Sequence, residues 1–319
     1  MIKLSIIIVN WNVKHLLESC LASIYRFTKE IEFEIIVIDN NSPDRSVEMI
    51  KSKYPQVYLI ENKENVGFAK ASNQGIKVGK GDYFLLLNPD TIVHEESIDK
   101  MLNFILKRPD IGILGPKVLN PDQTIQLVCS GRVPTLSKVF LWQTFFKIDK
   151  NLDGSNPWYF TPFTTTEIDW VSGVCMMIRK EVFKQIGLMD ENIFAYFEDV
   201  DFCYRARLKG WKVYYFNEAK ITHLLAKSWT FFPSKIVTIK LESELIFFAK
   251  HYGKNVAFIC MLLTAYGSLT RICIWSFFYL FNKKRAKKKL SEHKIILKSQ
   301  FPAIKRFLSK NLHKYENSY

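Results

Sequence analysis

The chain opens with apolar runs that are too short for helices and end abruptly in polar residues. Leu4 to Val9 (LSIIIV), Phe33 to Ile38 (FEIIVI), Val57 to Ile60 and Tyr83 to Leu87 (YFLLL) show no alternation. Unbroken apolar runs of this length are the pattern of strands covered on both faces, as in a parallel sheet. Between the first two, Leu16, Leu17, Cys20, Leu21 and Ile24 recur at helical spacing. A second helix is expected after Ser42 or Asp44, either of which can cap it. A third opens at a glycine in Asn65-Val66-Gly67-Phe68-Ala69-Lys70-Ala71-Ser72-Asn73. Alternating strands and helices predict an α/β fold, with a mostly parallel sheet and right-handed crossovers.

Three of these strands end in polar tips: Asn10-Trp11-Asn12, Asp39-Asn40-Asn41-Ser42 and Asn88-Pro89-Asp90. Any one of them is explained by turn chemistry. Side by side at the carboxyl edge of a parallel sheet, all three together predict a nucleotide pocket. Pro89 stops the fourth strand, because proline has no N–H for the ladder, and so presents Asp90 at the sheet edge. The first turn has no GxGxxG, so phosphate needs another partner, and a metal held by Asp90 is the natural substitute.

Beyond Ile111-Gly112-Ile113-Leu114-Gly115-Pro116 the rhythm loosens, and residues 120–168 read as a long, partly ordered insertion rich in aromatics. Val171 to Ile178 (VSGVCMMI) resumes a buried strand, in which Ser172-Gly173 permits close backbone approach. Glu198, Asp199 and Asp201 then open a helix behind the aromatic cluster Phe194-Ala195-Tyr196-Phe197. The helix dipole accounts for acids at that position but not for the aromatics in front of them. A further strand, Val213 to Phe216, is followed by His223.

These pieces together resemble the inverting GT-A glycosyltransferases of family 2, especially the bacterial branch that includes rhamnosyltransferases. The resemblance rests on SIIIVNWN, VIDNNSPD, ENVGFAKASNQGI, LLLNPDT, SGVCMMIRKEVF with GLMDENIFAYFEDVDFCYRARLKGW, and ITHLLAKS, over roughly residues 3–228. It implies a nucleotide-sugar donor, a glycan or lipid-linked acceptor, and Mg²⁺ or Mn²⁺. Asn88-Pro89-Asp90 stands where the family has DxD, with Asp90 as the metal-binding aspartate and Asn88 in place of a second carboxylate. Asp39 corresponds to the residue on the donor's base or ribose, beside Asn10 and Trp11. Asn41, Gly67 and Asn73 fall on the same donor side. Glu198-Asp199 matches the family's ED pair, with Asp199 as the catalytic base, and His223 matches a histidine that completes the metal site. dTDP-L-rhamnose is the leading donor by resemblance, with UDP-sugars open. Arg205 is read as a helix-end charge rather than a phosphate clamp.

The displacement chemistry asks for the same groups. An attacking hydroxyl needs a carboxylate to take its proton. A departing diphosphate needs a cation and donors for its developing charge. Two rival readings are a sugar-nucleotide-binding scaffold that has lost turnover and a nucleotidyltransferase. Asp90, Asp199 and His223 argue against the first, and the lack of a glycine-rich basic first turn argues against the second.

Charge changes the picture only at the end of the chain. The net charge is +14, and Lys283-Lys284-Arg285-Ala286-Lys287-Lys288-Lys289 holds six of the cations. No nucleic-acid module accompanies them, and they follow an apolar stretch from Val256 to Phe281, which points to anionic lipid. Arg271 lies in that stretch and would cost ~2.5–3.5 kcal/mol at a bilayer centre, which favours a helical hairpin or an in-plane helix over a span. A buried helix pair or homodimer interface is the alternative. The expected division is a catalytic domain at 1–232, with a nucleotide-sugar half at 1–118 and an acceptor half at 119–232, then a helical, membrane-associated basic region at 233–319. The six cysteines include no CxxC pair and are expected to be reduced. No signal peptide is visible, so the domain is expected to begin at the first residue, on the cytoplasmic face of the inner membrane.

Overall fold

The computed structural model describes residues 3–144, 158–224 and 233–310. Two compact units are formed, the first from Met1–Val133, Tyr159–Phe194 and Glu198–Ser228, the second from Pro134–Trp158, Ala195–Phe197 and Trp229–Tyr319.

The first unit is built on a nine-stranded sheet. Its parallel half comprises β1 (Leu4–Asn10), β2 (Phe33–Asp39), β3 (Tyr58–Glu61) and β4 (Tyr83–Leu87), in the order β3-β2-β1-β4. The sheet continues through β10 (Cys175–Arg179), β6 (Ile111–Leu119), β11 (Lys212–His223) and β5 (Thr91–Val93), with β8 (Thr166–Ile168) beside β11. The long β6–β11 ladder is again parallel, whereas β10 is antiparallel to both β4 and β6.

The helices cover both faces. Leu4, Ile6 and Ile8 share a core with Leu17, Leu21 and Ile24 of α1 (Lys14–Phe27), Met49 and Ile50 of α2 (Ser46–Lys53), and Met101 and Ile105 of α4 (Ser97–Leu106). On the other face α3 (Phe68–Val78) packs against β1 and β2. Gly75 makes that approach feasible, because a Cβ there would lie 2.8 Å from Ile7 and 2.9 Å from Ile38.

The structure departs from the sequence reading in four places. Val171–Ile178 is not one strand: β9 (Trp170–Val171) pairs with β7 (Ser130–Gly131), and β10 begins only after a turn at Ser172-Gly173-Val174. The turn places Gly173 N–H toward α7 (Glu198–Leu208), the helix of the paired acids. Thr91–Val93 forms a strand directly after the Asn88-Pro89 stop, too short to carry a periodic signal. Val213–Phe216 and Ile221–His223 belong to a single strand with an irregularity between Phe216 and Lys220. Asp44 does hold the start of α2, but from one position further out: its Oδ1 accepts from Ser46 N at 3.1 Å while its Oδ2 accepts from Lys14 N at 2.7 Å, so one carboxylate serves two helix starts. The end of ITHLLAKS, and Phe145-Phe146 in the aromatic insertion, lie outside the described residues.

The second unit contains α5 (Leu136–Thr144), α8 (Pro233–Tyr252), α9 (Lys254–Phe278) and α10 (Lys283–Ser309). Gly267–Arg271 does not break α9 into a hairpin. The helix runs unbroken, and Arg271 is satisfied sideways, donating to Trp142 O at 2.6 Å and Gln143 Oε1 at 2.9 Å on α5, and to Gly267 O at 3.0 Å. One helix among the described residues, Lys254–Phe278, is long and apolar enough to cross a membrane. The basic run is the first turns of α10 rather than a tail. The six cysteines are unpaired, and Cys273 alone is exposed.

Candidate active site

The β1 and β2 tips are locked together. Asn10 pairs in register with Asp39, and its Nδ2 donates to Asp39 Oδ1 at 2.7 Å. Ser42 N donates to Asp39 Oδ2 at 2.8 Å. Asp39 is buried and oriented from both sides, with the half-buried Trp11 and the exposed Asn41 at the rim. Asn12 and Asn41 both take positive φ, 64° and 61°, the left-handed region that asparagine tolerates better than most residues.

The third tip is held more tightly. Asn88 N donates to Val174 O at 2.9 Å, and Thr91 Oγ1 donates to Asn88 O at 2.7 Å. The β5–β11 ladder pairs Thr91 with His223, and Leu224 N donates to Asp90 O at 2.8 Å. That register is what sets His223 beside Asp90, with Nε2 3.2 Å from Oδ1 and both side chains buried. Asn88 is partly exposed next to them. Nδ1 of His223 lies 2.7 Å from Gln126 Oε1. No run of residue types in the sequence flags Gln126; the turn after β6 brings it to a histidine 97 positions away.

The paired acids sit at the first turn of α7. Asp199 Oδ2 accepts from Gly173 N at 3.0 Å and Oδ1 from Val200 N at 2.8 Å. Burial pushes the Asp199 carboxyl above the usual carboxylate range against these donors. Glu198 is pushed well above it, first by burial and then by the Asp199 charge, and its Oε2 meets no hydrogen-bond partner. The two backbone donors favour charge on Asp199, and burial with an unpartnered oxygen disfavours it on Glu198. Asp201 is spoken for, 2.8 Å from Arg205 Nε, and Arg205 also donates to Ile186 O and Leu188 O. Arg205 is a structural brace, as its position at the helix end suggested.

Gly67 and Asn73, grouped above with the donor contacts, hold the segment that leads into α7. Asn73 Nδ2 donates to Met189 O at 2.9 Å and Glu191 Oε1 at 3.0 Å, while its Oδ1 accepts from Met189 N at 3.0 Å. Phe68 N donates to Phe194 O at 2.7 Å. Gly67 has φ 87°, and a Cβ there would lie 2.5 Å from Phe194 O. Gly67→Ala is therefore expected to lower the melting temperature by several degrees and loosen the acidic helix start, since its φ 87°, ψ 176° backbone alone costs ~1–3 kcal/mol in an L-residue. Thermal unfolding checks this, and an unchanged midpoint would refute it. Immediately before Glu198, Tyr196 and Phe197 have φ 66° and 67°. Two consecutive aromatic residues in the left-handed region are strained, as backbone often is at working sites.

Among the described residues no group of three His, Cys, Asp or Glu side chains converges on a metal position. Asp90 and His223 form a pair, which suffices for Mg²⁺ or Mn²⁺, because such ions keep water and phosphate oxygens. The pair fits a cation: a carboxylate oxygen and an imidazole nitrogen at 3.2 Å repel each other unless a proton or a metal lies between them.

Comparison with known proteins identifies the family. The family model described as glycosyl transferase family 2 matches residues 5–187. An N-acetylglucosaminyl-diphospho-decaprenol L-rhamnosyltransferase of Mycobacterium tuberculosis is 28% identical over 273 residues, covering 78% of this chain and 85% of that one. A low-salt glycan biosynthesis hexosyltransferase of Haloferax volcanii is 28% identical over 211 residues, 64% of this chain and 61% of that one. Among solved structures, a mannosyltransferase from Pyrobaculum calidifontis in complex with GDP-Man and Mn²⁺ superposes with a TM-score of 0.57 at 13% identity, over 96% of this chain and 87% of that one. GalNAc-T7 with UDP, GalNAc and Mn²⁺ gives 0.53 at 16% identity, over 78% and 50%. At these identities the structural matches establish the GT-A architecture alone. With more than half its length under the family model, this chain belongs to glycosyl transferase family 2 and is a glycosyltransferase of polysaccharide or glycan synthesis.

Proposed function

We propose that the chain transfers a sugar with inversion from a nucleoside diphosphate donor to a hydroxyl of a lipid-linked glycan at a membrane surface. The observation that carries this reading is the division of labour among the acids. Asp199 accepts from two backbone N–H groups at the start of α7, while Asp90 lies beside His223 at the edge of the sheet. Asp199 takes the proton of the attacking hydroxyl, and the sugar–phosphate bond breaks as the new bond forms on the opposite face of the anomeric carbon. Asp39, oriented by Asn10 and Ser42, accepts hydrogen bonds from the nucleoside, with Trp11 and Asn41 at the rim. Asp90 and His223 hold Mg²⁺ or Mn²⁺, which when bound neutralises charge on the diphosphate.

dTDP-L-rhamnose is the leading donor, supported by the rhamnosyltransferase relative. A thermal-shift screen of nucleotide sugars with Mn²⁺ tests it, since a ligand that binds only the folded state raises its melting point. dTDP-rhamnose is expected to give the largest shift. A larger shift from a UDP- or GDP-hexose would reassign the donor.

Working pH follows from the acids. With its carboxyl raised, Asp199 is protonated, and useless as a base, over a pH range where an ordinary aspartate is ionised. Activity is therefore expected to fall on acidification at a pH above the ordinary aspartate value of ~4. Glu198→Gln exchanges one neutral group for another and is expected to leave that acid limb in place. A limb moved to lower pH would show that Glu198 is ionised beside Asp199.

Membrane attachment is assigned to the second unit. Ile259, Leu262, Tyr266, Leu269 and Phe277 form an exposed stripe along α9 at three-, four- and eight-residue spacings. Arg271, bonded to α5, is turned off that stripe. The stripe leads to the six cations of α10, each worth ~1 kcal/mol near an anionic surface. The protein is expected to sediment with anionic vesicles at low salt. Replacing the six cations by Gln should weaken this without changing nucleotide binding, and a protein that stays in the supernatant would mean the stripe is covered by another chain.

A further inference from the structure

The turn after β6 contains a chain of hydrogen bonds whose direction is fixed at one end. Asp122 is held below the usual carboxylate range by the Thr124 hydroxyl, so it can only accept. Thr124 Oγ1 donates to Asp122 Oδ1 at 2.6 Å and must therefore be the acceptor for Asn120 Nδ2 at 3.0 Å. That turns Asn120 Oδ1 toward Gln126 Nε2, 2.9 Å away. Gln126 then presents its oxygen inward, where it meets Cys129 Sγ at 3.0 Å and His223 Nδ1 at 2.7 Å. Burial pushes the Cys129 thiol up, which keeps it a donor and makes Oε1 an acceptor on a second, independent count. An oxygen facing Nδ1 requires Nδ1 to carry hydrogen, and in the neutral ring that leaves the Nε2 lone pair directed at Asp90 Oδ1.

We propose that residues 120–126 form a polarity relay, anchored at Asp122, that fixes His223 as its Nδ1–H tautomer. Gln126 is then a positioning residue for the cation site. A cation then takes the place between Asp90 Oδ1 and Nε2 that a proton otherwise fills, and the hydrogen on Nδ1 does not have to move when it binds. The metal consequence rests on the cation reading above, whereas the tautomer stands on the hydrogen bonds alone.

Nitrogen-15 NMR of histidine-labelled full-length protein, with no metal added, reads the tautomer directly. The His223 signal is assigned by its loss in His223→Ala. At alkaline pH the wild type is expected to show Nδ1 protonated and Nε2 bare. Gln126→Leu should shift the ring toward Nε2–H and weaken Mn²⁺ binding, measured by EPR of the free ion, by the ~10–100-fold typical of outer-shell partners of a metal ligand. Gln126→Glu keeps an acceptor on Nδ1 and should retain the tautomer. Thr124→Val, at an exposed position that cannot unfold the core, should give mixed tautomers. A wild-type ring protonated on Nε2, or a Thr124→Val ring left wholly as Nδ1–H, would overturn the relay. A wild type with the expected tautomer that binds no Mn²⁺ upholds the relay and removes the metal from the proposed function instead.

Discussion

Asp199→Asn is expected to lower sugar transfer by ~10²–10⁴-fold while leaving donor affinity nearly unchanged. The shape is kept and the proton acceptor is lost. Asp199 receives Gly173 N–H on one oxygen and Val200 N–H on the other, so the asparagine amide must turn its NH₂ toward one of these donors. Leaving that N–H unsatisfied costs ~1–3 kcal/mol of stability. A melting curve separates the two effects. Loss of transfer at a temperature where the variant is fully folded, with nucleotide still bound, assigns the base. Near-normal transfer would move the role to another group. Glu198, buried with an unpartnered oxygen, would then come first.

Asp90→Ala is expected to abolish metal-dependent nucleotide binding, and His223→Ala to weaken it less. The order follows from charge. Asp90 brings the formal negative charge that a hard cation seeks, whereas neutral imidazole brings a lone pair. The backbone turn is held by Asn88 N, Thr91 Oγ1 and the Asp90 carbonyl, all of which survive in alanine. The fold should persist, so calorimetry of UDP or dTDP with and without Mn²⁺ reads the site itself. Transfer that is indifferent to EDTA would mean that Asn88, standing where a second carboxylate is usual, marks a metal-independent site.

The parallel half of the sheet was legible in the sequence because β1, β2 and β4 are largely buried and read as short, mostly apolar runs, whereas β3 is a more exposed edge strand. Its three polar tips were legible for the same reason, as abrupt ends to those runs. The structure joins the first two at Asn10–Asp39 and ties the third to Val174 and Leu224. What stayed hidden depends on pairing rather than composition. Thr91–Val93 is a strand because β11 lies beside it, and three residues carry no period. Gly173 was visible as a point of close approach, but not as the donor to Asp199. Gly67 and Asn73 were visible only as parts of a motif after a strand tip, and nothing there showed that Gly67 accepts from Asn40 of the β2 tip or that Asn73 bonds Met189 and Glu191. The relay from Asp122 to His223 is a set of hydrogen-bond directions, which no linear pattern encodes. Nor did the sequence show that residues before Thr144 pack with α9, where Arg271 finds its partners.

The proposed transfer is a single in-line displacement with Asp199 as base. Proton NMR of the sugar released during the first turnovers of donor hydrolysis by the purified protein, before mutarotation mixes the anomers, reads its stereochemistry. The first sugar to appear is expected to have the anomeric configuration opposite to the donor's, and Asp199→Asn to slow its appearance. Release of the donor's own anomer would rule out a single displacement.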